Sequence, residues 1–237
     1  MLGVQPTRDE GAADGPVELP SRVAAGGLRA QKKRPRPSEV DRPDVAEKRA
    51  AFLKWVRRID ADRLVFLDEA GANIAMGRSH AWVQRGEEYV EARPMNWGDN
   101  LTLIGAVRRR GWVTLSTKWR AMTKERFIEW VRRRLAPRLR RRDVVLLDNL
   151  AAHKALEVRF FIEQRGATVR YLPPYSHDFN PIEPAWALVK KRIRTGAPRS
   201  AFALRRVARA ARYAVTPYHC RQYFAHAGYG NSSGNRD

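Results

Sequence analysis

LVFLDE, at residues 64–69, and VVLLDN, at residues 144–149, are short apolar runs that each lead into an aspartate. A nearly continuous apolar run of this length is typical of a central strand buried on both faces of a sheet. Strand and helix patterns follow one another along the rest of the chain, which favours a mixed α/β sheet with helices on its faces. The two aspartates then lie at the carboxyl ends of buried strands, where open α/β sheets usually place their sites.

The other predicted elements follow from apolar spacing and from turn and cap residues. Further strands are predicted at residues 80–86 and 89–94, in a hairpin over 100–119 that turns near Arg110–Gly111, and at 168–174. Helices are predicted over residues 44–58, 123–135, 151–166, 180–194 and 200–215. Asp44 and Ser200 are candidate caps of the first and last of these helices, and Thr123 is the first residue of the second.

The charge balance is strongly basic. The 237 residues include 46 Lys and Arg against 25 Asp and Glu, a net charge of +21, which points to nucleic acid or, less well, an anionic membrane surface as partner. No apolar run approaches the roughly 18–20 residues of a membrane span, and the start lacks a secretory pattern. A single cysteine, Cys220, excludes an intrachain disulfide framework and a cysteine-built zinc site. We therefore expect a cytoplasmic, nucleoid-associated protein.

Composition divides the chain into four predicted parts. Residues 1–42 mix Gly, Ala, Pro and charge without a sustained period, which predicts a disordered basic tail and linker. Residues 43–60 are predicted as a linker helix, and 61–198 as the α/β domain. Residues 199–230 are predicted as a C-terminal helical extension.

Three carboxylates are the candidate site. Asp68 and Asp148 follow the two buried strands, and Glu183 lies in the first turn of the helix predicted over 180–194. Two acids on neighbouring strands repel each other beside the core unless a cation lies between them. Mg²⁺ is the natural candidate, since a few carboxylates and substrate phosphate oxygens are its usual ligands. Two such ions about 3.5–4 Å apart assist in-line phosphoryl transfer.

Each acid also has a purely structural interpretation. Asp148 is a possible helix cap, Asp68 a possible partner for an arginine, and Glu183 a possible capping-box residue with Asn180 as the cap. The order strand, strand, helix for all three acids in one basic chain favours the site interpretation. Glu69 follows Asp68 but points to the opposite face of the strand, so it ranks second.

Six basic residues are candidate DNA contacts: Lys190, Arg194, Lys118, Arg120, Lys32 and Lys33. The first two share a helix face with Glu183, which suits phosphate contacts beside a metal ligand, although a solvated basic face gives the same pattern. Lys118 and Arg120 belong to residues 108–142, which carry 14 Lys and Arg against two acids. That density favours contact with the phosphate backbone, with an arginine-rich solvated surface as the alternative. The last two belong to a basic arm suited to following a groove.

Three stretches of the chain resemble one family. DEAG at 68–71, DNLAAHK at 148–154 and LPPYSHDFNPIEPAWALVKKRIR at 172–194 are similar to the DDE transposases of bacterial insertion sequences related to Tc/mariner elements, in particular the six-thirty family. The 34 residues between Asp148 and Glu183 match the spacing typical of that group. CRQYFAHAGY, at the end of the chain, is similar to the family's ending.

The resemblance implies an RNase H-like fold with a mixed five-stranded sheet. It implies that Asp68, Asp148 and Glu183 form a triad that holds two Mg²⁺ or Mn²⁺ ions. The implied activity is cleavage of transposon ends and joining of the freed 3′-hydroxyl to target DNA, by a homodimer on DNA. His153 matches a position that the family tends to keep as His, which implies a supporting role, with a surface histidine as the alternative. Asn149 is interpreted as a helix cap, with a bond to the metal shell as the alternative.

The chain departs from the family pattern at two places. The family usually has Pro where His177 stands and Leu where Phe179 stands; we interpret His177 as a loop residue, with phosphate contact as the alternative. Only 67 residues precede Asp68, whereas relatives carry a longer helix-turn-helix region that reads the transposon ends. We therefore expect a catalytic-domain reading frame whose DNA-binding half is encoded separately, fused by frameshifting, or lost. The alternatives are a non-catalytic DNA-binding remnant and another RNase H-like nuclease, and the 34-residue spacing counts against the second.

Overall fold

A computed structural model describes residues 37–77, 82–92 and 98–230. The predicted tail up to residue 36, with Lys32 and Lys33, lies outside the described residues. The strands are β1 (Leu64–Ala72), β2 (Leu101–Arg108), β3 (Gly111–Trp119), β4 (Val144–Leu147) and β5 (Thr168–Tyr171). The α-helices are α1 (Pro43–Val56), α2 (Lys124–Trp130), α3 (Leu156–Glu163), α4 (Ile182–Gly196), α5 (Ala201–Ala211) and α6 (Pro217–His226). None of these helices has the length and apolar character needed to cross a bilayer.

The five strands form one mixed sheet in the order β3-β2-β1-β4-β5. β2 is antiparallel to both β1 and β3, while β4 is parallel to β1 and β5 is parallel to β4. Phe66 of β1 pairs with Leu146 of β4, so the same register carried two residues further brings Asp68 level with Asp148. The prediction of a mixed five-stranded sheet is confirmed, and its central strand carries the first acid.

Alternation along β1 divides the core between the two faces of the sheet. Leu64 and Phe66 point to one face, where residues of α1, α4, α5 and α6 pack. Val65 and Leu67 point to the other face, which α2 and α3 cover. Asp68 and Glu69, which follow Leu67, continue this alternation. Asp68 therefore lies on the α4 side of the sheet and Glu69 on the opposite side.

Side-chain caps begin two of the predicted helices. The Thr123 hydroxyl accepts a hydrogen bond from the Arg126 N–H at 3.4 Å before α2. The Ser200 hydroxyl accepts one from the Ala203 N–H at 3.2 Å before α5. Each hydroxyl replaces an intrahelical partner that the first turn of a helix lacks. α2 runs on through π and 3₁₀ turns that end at Arg138, close to the predicted stop.

Two helix starts differ from the prediction. α1 begins at Pro43, because the carboxylate of Asp44 binds the Arg42 side chain at 3.1 Å and makes no cap. The helix predicted directly after β4 is divided. A 3₁₀ turn covers Ala151–Lys154, and Ala155 then takes an extended conformation before α3 starts.

One helix was predicted only as part of a longer helical region, and two strand predictions are wrong. α6 lies within the helical extension predicted over 199–230 but was not predicted as a separate helix, although Thr216 and His219 form a capping box at its start. The described residues 82–92 contain no strand, whereas the sequence predicts strands over 80–86 and 89–94. β1 and β2 pair directly with each other, so the segment that connects them does not lie between them in the sheet.

α5 and α6 complete the core on the α4 side of the sheet. Leu204 and Ala208 of α5 and Phe224 of α6 are fully buried. The Phe224 ring packs edge-on against Phe66, with 5.4 Å between the ring centroids. The residues predicted as a C-terminal extension therefore contribute to the core around β1.

Candidate active site

One cavity brings the three predicted acids together. Asp68 lies in β1, Asp148 follows β4 directly, and Glu183 is the second residue of α4. All three line a cavity of about 310 Å³, together with Asn149 and Asn180. The register of β1 and β4 and the start of α4 thus converge on one place in the molecule.

Asp68 is held by an indole. The Trp186 N–H donates a hydrogen bond to Asp68 Oδ2 at 3.1 Å, and the ring itself is buried in the core. Burial, together with the charges of Glu183 and Asp148, raises the pKa of Asp68 to about 7 against the lowering effect of the Glu69 N–H. This carboxyl group is therefore poorly stabilised as an anion by the protein alone. Trp186, which the sequence indicates only as a core residue, is a contact that sequence analysis missed.

Asp148 has a different set of partners. Its Oδ1 accepts hydrogen bonds from the Leu150 N–H at 3.0 Å and from His153 Nδ1 at 2.5 Å. Burial alone would raise the pKa of Asp148, but the His153 and Leu150 hydrogen bonds outweigh it, so the pKa lies below its usual value. Asp148 is therefore ionised in the folded protein.

His153 lies between two acids and is only 1% exposed. Its Nε2 is 3.7 Å from Glu69 Oε1, an ion-pair distance, and its ring lies 4.4 Å from that of Phe127. Burial lowers the pKa of His153, but Asp148 and Glu69 outweigh burial and raise it to about 9. The interpretation as a surface histidine is wrong. His153 is a buried cation beneath the site.

Glu183 does not form the alternative capping box. The Asn180 N–H, which such a box would pair with Glu183, donates to the His177 carbonyl at 3.0 Å. Asn180 instead accepts a long bond from the Ile182 N–H at 3.4 Å through its own side chain. The carboxylate of Glu183 is exposed and faces the cavity, 3.7 Å from His177 Nδ1.

Asn149 forms a hydrogen bond between the ends of β4 and β5. Its Nδ2 donates to the Leu172 carbonyl at 2.6 Å, so it links the residue after Asp148 to the residue after β5. The prediction that Asn149 caps a helix is wrong, because the following 3₁₀ turn begins after Leu150 without a side-chain cap.

A loop before α4 is fixed by a residue far away in the sequence. The Arg49 guanidinium on α1 donates to both carboxylate oxygens of Asp178, at 2.9 and 2.6 Å, and lies 4.0 Å from the centre of the Phe179 ring. Phe52, one turn further along α1, stacks on Phe179 at 5.7 Å. The Tyr229 hydroxyl donates to the Phe179 carbonyl at 2.7 Å. This loop carries His177 next to the cavity, and sequence analysis missed all of its anchors.

The predicted DNA-contact residues within the described part of the chain lie outside the cavity lining. Lys190 and Arg194 are half-buried on α4. Lys118 is exposed on the edge strand β3, and Arg120, just after it, binds Asp99 at 3.4 Å. Their placement is compatible with DNA that extends beyond the reacting phosphate.

The donor set of the cavity fits a hard divalent cation. Asp68, Asp148 and Glu183 supply carboxylate oxygens, which Mg²⁺ and Mn²⁺ prefer. A cation relieves the burial and repulsion that raise the pKa of Asp68. Within the ranges that the structure describes, no three His, Cys, Asp or Glu side chains already converge closely enough to hold an ion. An ion held by all three carboxylates would require these side chains to lie closer together than they do here.

Comparison with solved structures defines the class of fold. The chain is similar to the Mos1 transposase paired-end complex with left transposon end, at a TM-score of 0.68 and 19% identity over 86% of this chain and 65% of that one. The Mos1 strand transfer complex matches at a TM-score of 0.65 and 18% identity, over 86% of this chain and 64% of that one. The Mos1 catalytic domain with raltegravir and Mg matches at a TM-score of 0.54 and 16% identity, over 81% of this chain and 91% of that one. The RNase H-like fold of a transposase catalytic domain is confirmed, and the chain spans about 65% of the longer Mos1 chains.

A sequence model of the DDE superfamily endonuclease family matches residues 63–204, and this chain belongs to that family. The matched region contains Asp68, Asp148 and Glu183. No curated protein matches the sequence. The predicted resemblance to DDE transposases related to Tc/mariner elements is thereby confirmed, while the narrower assignment to the six-thirty family stays a prediction.

Proposed function

We propose that this chain is the catalytic part of a transposase, which cleaves DNA at transposon ends and joins the freed 3′-hydroxyl to target DNA. The observation that carries the proposal is the convergence of Asp68, Asp148 and Glu183 on one cavity in a DDE superfamily endonuclease. In the proposed site these carboxylates hold two Mg²⁺ or Mn²⁺ ions, which activate water or a 3′-hydroxyl and stabilise charge on the scissile phosphate.

The protein's own part is to orient the three carboxylates. The Trp186 N–H fixes one oxygen of Asp68, and His153 fixes one oxygen of Asp148, so each acid has a second oxygen for a cation. Glu183 enters from the first turn of α4, opposite the two strands. The positive charge on His153 offsets part of the negative charge that the three acids concentrate here.

DNA is the proposed substrate. The net charge of +21 suits a polyanion, and the Mos1 complex described above holds a transposon end. We propose phosphate contacts for Lys190, Arg194, Lys118 and Arg120. The proposal includes a homodimer on DNA, a separately encoded helix-turn-helix half that reads the ends, and action at the nucleoid in the cytoplasm.

The test is metal-dependent nicking of a supercoiled plasmid that carries the inverted repeats flanking the gene. Wild type is compared with Asp148→Asn and with Glu163→Gln, a control that removes an exposed acid on α3 paired with Arg159. We expect nicking with Mg²⁺ or Mn²⁺ by wild type and by the control, and loss of nicking in Asp148→Asn.

Two other results would contradict the proposal. Salt-sensitive DNA binding without nicking by wild type in either metal, also when the helix-turn-helix partner is added, would identify a DNA-binding remnant. Equal nicking by wild type and Asp148→Asn would place the chemistry elsewhere.

A further inference from the structure

The exposed side of α5 is a row of arginines flanked by aromatic rings. Six exposed residues of α5 and the 3₁₀ turn that follows it form this row, which we call the α5 face: Phe202, Arg205, Arg206, Arg209, Arg212 and Tyr213. The residues recur at the three- and four-residue spacing that places side chains on one side of a helix. The two rings are open to solvent, with Phe202 78% exposed and Tyr213 70% exposed.

Acidic residues are missing from this part of the sequence. Residues 184–230 contain ten Lys and Arg and no Asp or Glu. Arg205, Arg206 and Arg209 have no acidic partner anywhere in the described ranges. Arg212 lies over the Tyr213 ring, 4.5 Å from its centre. The α5 face therefore carries uncompensated positive charge.

Some exposed arginines elsewhere in the described residues are compensated by an acid. Arg132 and Arg133 both bind Glu129, and Arg159 binds Glu163. Like charges one helical turn apart repel each other and cost stability. A polyanion bound to the α5 face removes that cost.

The buried side of α5 fixes the α5 face in position. Gly196, at the end of α4, lets α5 approach closely, because a Cβ at this position would lie 2.9 Å from Cγ1 of Val207. The Trp112 indole N–H donates to the Arg212 carbonyl at 3.2 Å. Because the helix is already held in place, binding does not have to order it, which favours affinity.

We propose that the α5 face binds the phosphate backbone of duplex DNA, at a surface that shares no residue with the cavity of Asp68, Asp148 and Glu183. Guanidinium groups bind phosphate oxygens in a bidentate manner, and the flanking rings add apolar contact with the sugars. This inference rests on the proposed function, because a strand-transfer enzyme must hold duplex beyond the phosphates that react.

An anionic membrane surface fits the α5 face less well. A helix that lies in a membrane interface needs a broad apolar side to insert. The apolar side of α5 is already used in the core, where Leu204, Ala208 and Ala211 are buried. Only the two flanking rings remain for insertion, so we commit to DNA.

The test compares two triple variants with the same loss of charge. Arg205→Gln/Arg206→Gln/Arg209→Gln removes the centre of the α5 face, and the control Lys54→Gln/Arg57→Gln/Arg58→Gln removes three exposed basic residues at the end of α1. Binding to a labelled duplex of mixed sequence is measured by anisotropy across a salt series, with thermal melting to confirm folding. If each of the three replaced arginines contacts one phosphate, the negative slope of log K against log salt becomes less steep by about 2–3 in the α5 variant. The control slope changes less.

The outcomes separate this inference from the proposed function. The assignment of the α5 face would be overturned if both triple variants had equal slopes, or if the slope of the α5 variant equalled that of wild type while wild type binds and nicks DNA. Either result would leave the proposed function intact. Wild type that neither binds nor nicks DNA would overturn both. Wild-type binding to phosphatidylserine vesicles that is lost in the α5 variant, with DNA binding unchanged, would identify a membrane surface and overturn the DNA assignment.

Discussion

Asp68 and Asp148 lie level with each other on neighbouring parallel strands, yet the protein treats their charges in opposite ways. More protein surrounds Asp68, its side-chain donor is the neutral indole of Trp186, and its pKa is raised to about 7. Asp148 is bound by the cationic His153, and its pKa is lowered. Equal positions in a sheet therefore do not give equal carboxylates.

The two acids differ in where their counter-charge comes from. Asp148 has a counter-charge built into the fold at His153, which holds its pKa below the usual value. Asp68 lacks such a counter-charge, so its ionisation is completed by a cation that arrives from outside.

Replacement of each acid gives the largest expected effect. Asp68→Asn and Asp148→Asn should each reduce metal-dependent nicking by more than about 100-fold, since each removes a proposed ligand. In EDTA at about pH 8 their melting temperatures should move in opposite directions. Asp68→Asn raises the melting temperature because it removes a repelled carboxylate, and Asp148→Asn lowers it because His153 loses its anion. A shift of the same sign in both variants would contradict the comparison.

Replacement of the two partners gives a smaller effect. His153→Gln should raise the metal concentration needed for half-maximal nicking by about 10–100-fold, and Trp186→Phe by less, because a neutral donor contributes less than a charged one. Trp130→Phe is the matched control: it makes the same change at a buried tryptophan on the other face of the sheet, whose indole N–H binds no acid. The comparison fails if the metal requirement rises more in Trp186→Phe than in His153→Gln, or equally in Trp130→Phe and Trp186→Phe.

Gly105→Ala tests how tightly the indole is placed. Gly105 pairs with Asp68 across β1 and β2, and a Cβ there would lie 2.8 Å from the Trp112 ring and 3.0 Å from the Trp186 ring. We expect a loss of about 1–3 kcal/mol in unfolding free energy and a higher metal requirement. Gly71→Ala is the control, since a Cβ at Gly71 meets nothing within 4 Å. Equal stability for the two variants would show that the rings move aside.

The smallest effect is on the pH dependence of metal-free stability. The pKa of Asp68 rises from 3.8 to about 7 on folding, and that of His153 from 6.5 to about 9. The folded state binds the additional proton in each case, so stability falls as pH rises from about 4 to 7 and again from about 6.5 to 9. Urea unfolding in EDTA should show Asp68→Asn flattening the first window and His153→Gln the second. A wild-type stability that rises across both windows would contradict these assignments.

The sequence alone placed the acids well and their surroundings poorly. Apolar runs that end in acids located Asp68 and Asp148, and the helix start located Glu183, because burial and helix periodicity are local patterns. Partners that come together from distant segments leave no local pattern. Arg49 is 129 residues from Asp178, and the burial of His153 depends on a turn where the sequence predicts regular helix.

The same limit explains the wrong and missing elements. The segment at 82–92 has residues that suit a strand, but a strand also needs a partner, and β1 and β2, which flank the segment in the chain, pair with each other. α6 has few aliphatic residues, so its apolar spacing is weak, and its capping box at Thr216 and His219 was the better signal. Periodicity predicts what a segment can form, while its partners decide what it does form.

The loop that holds Phe179 sets the shortest fragment worth producing in the laboratory. The family match ends at residue 204, which invites truncation there. Such a fragment would lack Tyr229, whose hydroxyl binds the Phe179 carbonyl and whose ring packs on Phe66 at 5.0 Å. A fragment that starts after α1 would lose Arg49 and Phe52 from the other side of the same loop. Expression trials for this enzyme should therefore keep residues 43–230 as one unit.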